Sequence, residues 1–200
     1  MSLPIPLSTP PTSKELAHVL RCVAAVYTIN NVQKFRILAY QKAADSIENA
    51  SREAYDLWQD KQLKKLPGIG GSIGDHLDQL LQTGQSAHLE EILAPMPAGM
   101  YALLPVPGIG PKNAFKIARQ VGLTRYHSAL SKLEKAAKQG ELLQVEGIKE
   151  DGQAKILRGI EQYKLQGNRL VIHMADKIAQ DIITFLSRIS QVQYIEVLGS

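Results

Sequence analysis

The feature that most constrains this chain is a short glycine-containing stretch that occurs twice. Residues 66–77 read LPGIGGSIGDHL and residues 104–118 read LPVPGIGPKNAFKIA, so the shared Pro-Gly-Ile-Gly recurs after 40 residues. Glycine adopts positive φ without steric cost, and the residues after each stretch carry the apolar spacing of a helix. The repeat therefore predicts two tight turns, each of which opens a helix.

A weaker third copy follows in LLQVEGIKEDGQAKILRGI, where Gly147 lies 39 residues after Gly108. This copy lacks the second glycine, and the residues that follow are acidic. We expect it to be a structural turn rather than a ligand-binding one.

Helical periodicity dominates the rest of the chain and predicts an all-α fold. Thr12 and Glu15 have the spacing of a capping box, so a helix is expected to begin near Ser13. Asn30 or Asn31 is placed to cap a second helix that ends near residue 50. Further helices are expected over 53–58, 72–82, 87–93 and 128–140.

Composition shifts divide the chain into four parts. Proline and serine at the start indicate a flexible tail over residues 1–12, and APMPAG at 94–99 cannot continue a helix. We expect an N-terminal helical domain with the first turn at 13–94 and a second helical domain at 95–168. Residues 169–200 would add a long helix and a single β-strand in VQYIEVLGS. Because a lone strand is marginal without partners, we expect the chain to be part of a longer protein.

Charge and cysteine content narrow the function classes. The formal net charge of +4 permits a polyanionic partner without requiring one. The single cysteine, Cys22, excludes an internal disulfide and a multi-cysteine metal cage, and it fits a cytoplasmic setting. No apolar run approaches the roughly 20 residues that a membrane-spanning helix needs, so no membrane partner is expected.

The two turns predict phosphate binding through the main chain. Unpaired N–H groups and the positive end of the helix dipole make a helix N-terminus an anion site, and such a site contacts the backbone of a nucleic acid rather than its bases. Lysines flank both turns. The candidate phosphate-binding residues are Gly68, Gly70, Gly71, Lys64 and Lys65 at the first turn, and Gly108, Gly110, Lys112 and Lys116 at the second.

These segments, in their order, resemble the tandem helix-hairpin-helix motifs in the N-terminal portion of family X (polymerase beta-like) DNA polymerases, most closely the prokaryotic type. The resemblance rests on four segments and covers about residues 13–200: FRILAYQKAADSI, LKKLPGIGGSIGDHLDQLLQTG, LLPVPGIGPKNAFKIA and YIEVLGS. It implies a small helical lyase-type domain, a helix-hairpin-helix domain, and the start of a truncated palm.

The resemblance also implies a function for the last two residues of the sequence. Gly199 and Ser200 match a pair that contacts the phosphates of the incoming nucleotide in the family. The aspartates that bind Mg²⁺ would follow this pair, so we expect no catalytic residue in this chain and a magnesium requirement only in the full-length parent.

The family's lyase chemistry is expected to be lost. In animal members a lysine on the helix after the first hairpin forms a Schiff base, but here His76 falls at that position and Ser72 at a second lysine position. Imidazole has no primary amine and forms no imine. By the same resemblance, Tyr40 matches a family tyrosine and Arg36 stands near the position of a phosphate-binding lysine, so we expect weak binding of a 5′-phosphate to remain. A displaced lysine at position 42, 64 or 65 is the alternative.

In the family, each hairpin also holds a monovalent cation through main-chain carbonyls. The resemblance therefore implies a Na⁺ or K⁺ site at each turn. The carbonyls would be those of Lys64, Leu66 and Ile69 at the first hairpin and of Leu104, Val106 and Ile109 at the second.

Together these features predict a monomeric fragment that binds gapped or nicked duplex DNA regardless of sequence, as part of a base-excision repair polymerase. Two alternatives stay open. One is a deoxyribose-phosphate lyase with a displaced lysine, and the other is a non-catalytic helical scaffold that docks another protein.

Overall fold

The structure is a computed structural model that describes residues 3–186, with side chains described for 3–166 and 182–186. Within this range all regular structure is helical, which confirms the all-α prediction. The strand predicted in VQYIEVLGS and the Gly199–Ser200 pair lie outside the described residues. The α-helices are α1 Ser13–Ile29, α2 Lys34–Glu48, α3 Ala54–Gln59, α4 Gly71–Thr83, α5 Ala87–Leu93, α6 Ala98–Leu103, α7 Pro111–Gln120, α8 Tyr126–Lys138 and α9 Glu150–Leu186, with 3₁₀ turns at Leu63–Lys65 and Glu141–Gln144.

Helix α1 begins with the predicted capping box. The Glu15 amide donates to Thr12 Oγ1 at 3.2 Å, and the Thr12 amide donates to Glu15 Oε2 at 2.8 Å. Two orphan donors of the first turn are thereby satisfied. The apolar face of α1, which includes Leu16, Val19, Leu20 and Val23, is fully buried. Helix α1 packs against α2, α5 and α7 and lies at the centre of the hydrophobic core.

The expected asparagine cap of α2 is wrong. Asn30 ends α1 instead, and Asn31 adopts φ +52°. The Val32 amide donates to the Tyr27 carbonyl at 2.9 Å, which closes a C-terminal motif that needs a left-handed residue, a conformation asparagine tolerates. Gln33 precedes α2 without a side-chain cap.

The segment before α1 makes contacts where the structure describes it. Ile5 is buried in the core at 3% exposure. The Ser8 amide donates to Glu15 Oε1 at 3.0 Å. These contacts attach part of the expected flexible tail to the start of α1.

Helix α9 continues without interruption from the third glycine turn to Leu186, across the boundary expected at 168–169. Its Gly159 lies against the second glycine turn: a Cβ there would stand 2.1 Å from the Pro107 carbonyl oxygen. A glycine at this position therefore permits the close approach of α9. None of the described helices is both long and apolar enough to cross a bilayer.

The helices before and after the Pro-rich boundary share one core. His18 of α1 lies with Nε2 3.2 Å from the Tyr126 hydroxyl of α8, and its ring contacts the Tyr126 ring edge-on. Burial, and then the neighbouring Arg21 charge, lower the pKa of His18 from 6.5 to about 4. His18 is thus held neutral at the contact between α1 and α8.

We predict an acid-sensitive fold. The unfolded chain protonates His18 near pH 6.5 and the folded chain only near pH 4, so the free energy of unfolding falls as the pH drops between these values. The loss from His18 is about 3 kcal/mol. Urea unfolding across this pH range should show a smaller loss in His18→Gln. The exposed His127→Gln serves as control and should keep the full loss. An unchanged pH dependence in His18→Gln would contradict the assignment.

Candidate nucleic-acid interface

The first hairpin joins the 3₁₀ turn at Leu63–Lys65 to α4. Gly68 adopts φ +84°, in the left-handed region that favours glycine. The Ile69 amide donates to the Leu66 carbonyl at 3.0 Å, and the Ile69 side chain is fully buried. The turn is anchored from inside the protein, so the backbone of residues 70–71 stays at the surface.

The second and third hairpins repeat this geometry. Gly108 and Gly147 adopt φ +86° and +87°. The Ile109 amide donates to the Val106 carbonyl at 3.1 Å, and the matching bond from Ile148 in the third copy is 3.0 Å. All three sequence copies therefore fold into the same turn, including the weak one.

The helix N-termini after the first two hairpins are open. Gly70 and Gly110 are the N-cap residues of α4 and α7, and neither helix has a side-chain cap. A Cβ built on either glycine meets no atom within 4 Å. Because Pro111 has no N–H, the first free donors of α7 are the amides of residues 112–113. An oxyanion therefore has room to reach these amides.

The third hairpin differs at the same place. Lys149 occupies the position of the second glycine, and the first turn of α9 carries Glu150 and Asp151. These carboxylates lie at the positive end of the helix dipole and would repel a phosphate. With Gly159 against Pro107, the third hairpin and its helix brace the second hairpin.

Two of the four predicted lysines are paired with carboxylates. Lys64 Nζ lies 2.7 Å from Asp75 Oδ1, and Lys116 Nζ lies 2.9 Å from Glu146 Oε2. The hydrogen bond to Asp75 raises the pKa of Lys64. The hydrogen bond from Lys116 lowers the pKa of Glu146. A phosphate would therefore compete with these exposed pairs for the two lysines.

The other two lysines, Lys65 and Lys112, are exposed, and neither forms an ion pair with a described residue. Lys65 is the last residue of the 3₁₀ turn of the first hairpin, and Lys112 lies in the first turn of α7. Each hairpin thus carries one exposed lysine that forms no ion pair with a described residue.

The structure brings the two predicted α2 contacts together in a separate cavity of about 270 Å³. Arg36 and Tyr40 line it, with Ser72 and His76 of α4 and His88 of α5. The His76 and His88 rings stack with centroids 4.1 Å apart. Burial, and then the neighbouring imidazole, lower the pKa of His76. His88 was missed from the sequence because nothing in the local pattern of α5 indicates a partner on α4.

The candidate lyase lysines lie elsewhere. None of Lys42, Lys64 and Lys65 is among the residues that line this cavity. Lys64 instead lines a different cavity, together with Trp58 and Gly74, and its side chain packs over Gly74. An imine-forming lysine must be neutral to attack, and the raised pKa of Lys64 disfavours that form.

The carbonyls expected to hold a monovalent cation are partly engaged. Those of Leu66 and Val106 already accept the turn bonds from Ile69 and Ile109. A carbonyl oxygen has two lone pairs, so one on each stays available. No group of three or more carboxylate, imidazole or thiol side chains that could hold a metal ion occurs among the described residues.

Comparison with known proteins agrees with this geometry. Residues 11–86 match the family model of a helix-hairpin-helix domain. The chain is also 26% identical over 187 residues to the DNA polymerase/3′-5′ exonuclease PolX of Bacillus subtilis (strain 168), a match over 94% of this chain and 32% of the relative. The chain thus spans about a third of the length of the curated relative. The resemblance to the N-terminal portion of a family X polymerase is confirmed.

The second and third hairpins follow the segment that the helix-hairpin-helix family model covers, which ends at residue 86. They share its turn geometry: the φ angles of Gly68, Gly108 and Gly147 lie within 84–87°. The structure therefore shows the same turn in two further segments, at 103–120 and from 142 into α9.

We predict that the two glycines of the second hairpin respond differently to alanine. Gly108→Ala places a Cβ at φ +86° and should lower the free energy of unfolding by roughly 1–2 kcal/mol. Gly110→Ala, at φ −80° and facing open space, should change it by less than about 0.5 kcal/mol. Urea denaturation measures both. Equal losses would contradict the turn geometry.

Proposed function

We propose that this chain binds DNA without regard to base sequence, through main-chain amides at the N-termini of α4 and α7. The observation that carries the proposal is the open space at Gly70 and Gly110, where helix-terminal donors have no side-chain cap. Donors of this kind bind phosphate oxygens and make no contact with the bases, so binding does not depend on the base sequence.

The net charge and the similarity to a DNA polymerase support a polyanionic ligand. The net charge is +4, and Lys65 and Lys112 in the two hairpins form no ion pair within the part of the chain that the structure describes. The relative's name describes a DNA polymerase and exonuclease, and residues 11–86 match the model of a helix-hairpin-helix domain. A chain of this kind would hold DNA for a catalytic part that lies elsewhere.

We further propose gapped or nicked duplex as the preferred form. The two open hairpins would each hold a phosphate of the duplex. The cavity with Arg36 and Tyr40 is close to the first hairpin, since Ser72 of α4 also lines it. A terminal 5′-phosphate at a gap would fit a cavity with a guanidinium and a phenol at its wall.

The setting of this activity is proposed from the resemblance. The chain would act as a monomer in the cytoplasm, as the N-terminal part of a base-excision repair polymerase. Mg²⁺ would serve nucleotidyl transfer in that longer protein, with Gly199 and Ser200 at the phosphates of the incoming nucleotide. The main-chain carbonyls of the hairpins, those of Leu66 and Val106 among them, would hold Na⁺ or K⁺, and the cation would supply positive charge near a DNA phosphate.

We predict salt-dependent, sequence-independent DNA binding that a bulky side chain at Gly110 impairs. Fluorescence anisotropy on duplexes of unrelated sequence should give Kd values within about threefold, and the plot of log K against log salt should have a slope of about −2 to −4 for two to four neutralised phosphates. Gly110→Val should weaken binding roughly tenfold to a hundredfold, because it blocks charge-assisted bonds from the amides.

The matched control is Gln120→Val, which adds a similar side chain at the exposed far end of the same helix. Its Kd should equal that of the wild type. Equal binding by Gly110→Val and wild type would contradict the amide site. Failure to retain DNA at low salt would favour the scaffold alternative.

The lyase alternative stays a prediction without a structural argument in its favour. Borohydride trapping on abasic DNA tests it directly, because a lysine imine would leave a covalent adduct. Absence of an adduct would remove the hypothesis and leave DNA binding untouched.

A further inference from the structure

The positive charge of this chain is concentrated around α8. Residues 92–133 contain no aspartate or glutamate but carry five lysines and arginines. Residues 125–139 alone carry four cations and one carboxylate, a net charge of +3 against +4 for the whole chain, so the other 185 residues sum to only +1. Since Lys64 and Lys116 at the hairpins are paired with carboxylates, most of the unbalanced charge lies on α8.

Helix α8 carries these cations on one face. Ser131, Lys132, Lys135 and Lys138 follow the three-four spacing of a helix face, and all four are exposed. Neither Lys132 nor Lys135 forms an ion pair with a described residue. The opposite face of α8 is buried, and the helix packs against α6 and α9. We call these four residues the α8 lysine face.

A single carboxylate, that of Glu134, offsets this charge within α8. Its oxygens accept from Lys138 Nζ at 2.9 Å and from Lys164 Nζ of α9. The hydrogen bonds from Lys164 and then from Lys138 lower the pKa of Glu134. Two cations thus share one carboxylate, and Lys132 and Lys135 add two more charges to the same surface.

Helix stability does not account for this arrangement. Lysines in the last turn of a helix stabilise it through the dipole, and Lys135 and Lys138 lie in that turn. Lys132 lies before the last turn, and Lys164 lies on another helix. The dipole therefore explains only half of the cations.

Helix α9 connects the α8 lysine face to the second hairpin. Its Gly159 lies against Pro107 of that hairpin, and its Lys164 reaches Glu134 of α8. With a rise of 1.5 Å per residue, Lys164 lies about 7.5 Å along the helix axis from Gly159. One turn of duplex DNA is about 34 Å long. A duplex held at the second hairpin therefore passes the distance to α8 within a single turn.

We propose that the α8 lysine face is a second DNA contact, which binds the backbone of the double-stranded stem beside the gap while the hairpins hold their own phosphates. The inference rests on the proposed function and extends its footprint along the duplex. Lysine and serine side chains are common donors to DNA phosphates. Such a contact adds affinity without reading the sequence, and its contribution falls with salt.

An acidic protein partner fits the α8 lysine face less well. Protein–protein interfaces are depleted in lysine and depend on buried aromatic or other apolar side chains. Helix α8 lies entirely within the described residues, and each of its exposed side chains is polar or charged: His127, Ser131, Lys132, Lys135 and Lys138. A surface of this composition matches a phosphate backbone.

The test compares two labelled duplexes with a one-nucleotide gap, whose stems are shorter and longer than one helical turn of about 10 base pairs. By fluorescence anisotropy, wild-type protein should bind the long-stem duplex roughly tenfold more tightly than the short-stem duplex. The double variant Lys132→Gln/Lys135→Gln should lose most of this gain and bind the short-stem duplex as the wild type does. On the long stem its plot of log K against log salt should be shallower by about 1 to 2.

Two further variants fix the sign and the place of the effect. Glu134→Gln removes the carboxylate that Lys138 and Lys164 share, so it should tighten long-stem binding roughly threefold. The matched control Lys14→Gln/Arg52→Gln removes the same amount of charge at two exposed positions near the starts of α1 and α3. It should keep the full stem-length gain.

A full stem-length gain in Lys132→Gln/Lys135→Gln would overturn this proposal while leaving hairpin binding intact. An equal loss in the Lys14→Gln/Arg52→Gln control would overturn it in favour of net charge alone, and weaker long-stem binding by Glu134→Gln would overturn it too. Binding of poly-glutamate that the lysine variant loses, with the stem-length gain kept, would assign the face to an acidic protein instead. Failure of the wild type to bind either duplex would overturn the proposed function as well.

Discussion

The glycine turn anchored by a buried isoleucine is the constraint on which the hairpins depend. A left-handed residue lets the chain reverse in a few residues, and the next side chain enters the core and fixes the turn from inside. In the first hairpin Gly68 supplies the left-handed conformation and Ile69 the anchor. Because the anchor faces inward, the next backbone amides must face outward. The exposed helix N-terminus is therefore a consequence of how the turn is stabilised.

The three copies of this turn share one backbone conformation but differ in the residues that follow it. The first two end in an open glycine N-cap, where a ligand has room. The third ends in Lys149 and an acidic first turn, and its helix packs against the second hairpin through Gly159. The same turn thus occurs at two helix N-termini that are candidate phosphate sites and at a third that has a packing role. The difference lies in a single position after the isoleucine and in the sign of the charges that follow.

The features predicted correctly from the sequence are those set by local chemistry. Positive φ at Gly68 and Gly108 follows from the Pro-Gly-Ile-Gly pattern, and the Thr12–Glu15 capping box follows from spacing. The features that were missed depend on contacts distant in the chain. The Lys116–Glu146 pair joins residues 30 positions apart, and the His76–His88 stack joins two helices. Neither leaves a signature in a local window.

The central claim is that main-chain amides of α4 and α7, rather than side chains alone, hold the DNA backbone. Amide chemical shifts of the ¹⁵N-labelled chain, followed during titration with a gapped duplex, test it most directly. The largest shifts should occur at residues 71–73 and 112–113, and the equivalent amides at 150–152 in the third hairpin should stay unchanged. Saturable binding with no change at 71–73 and 112–113, or with equal changes at 150–152, would contradict it.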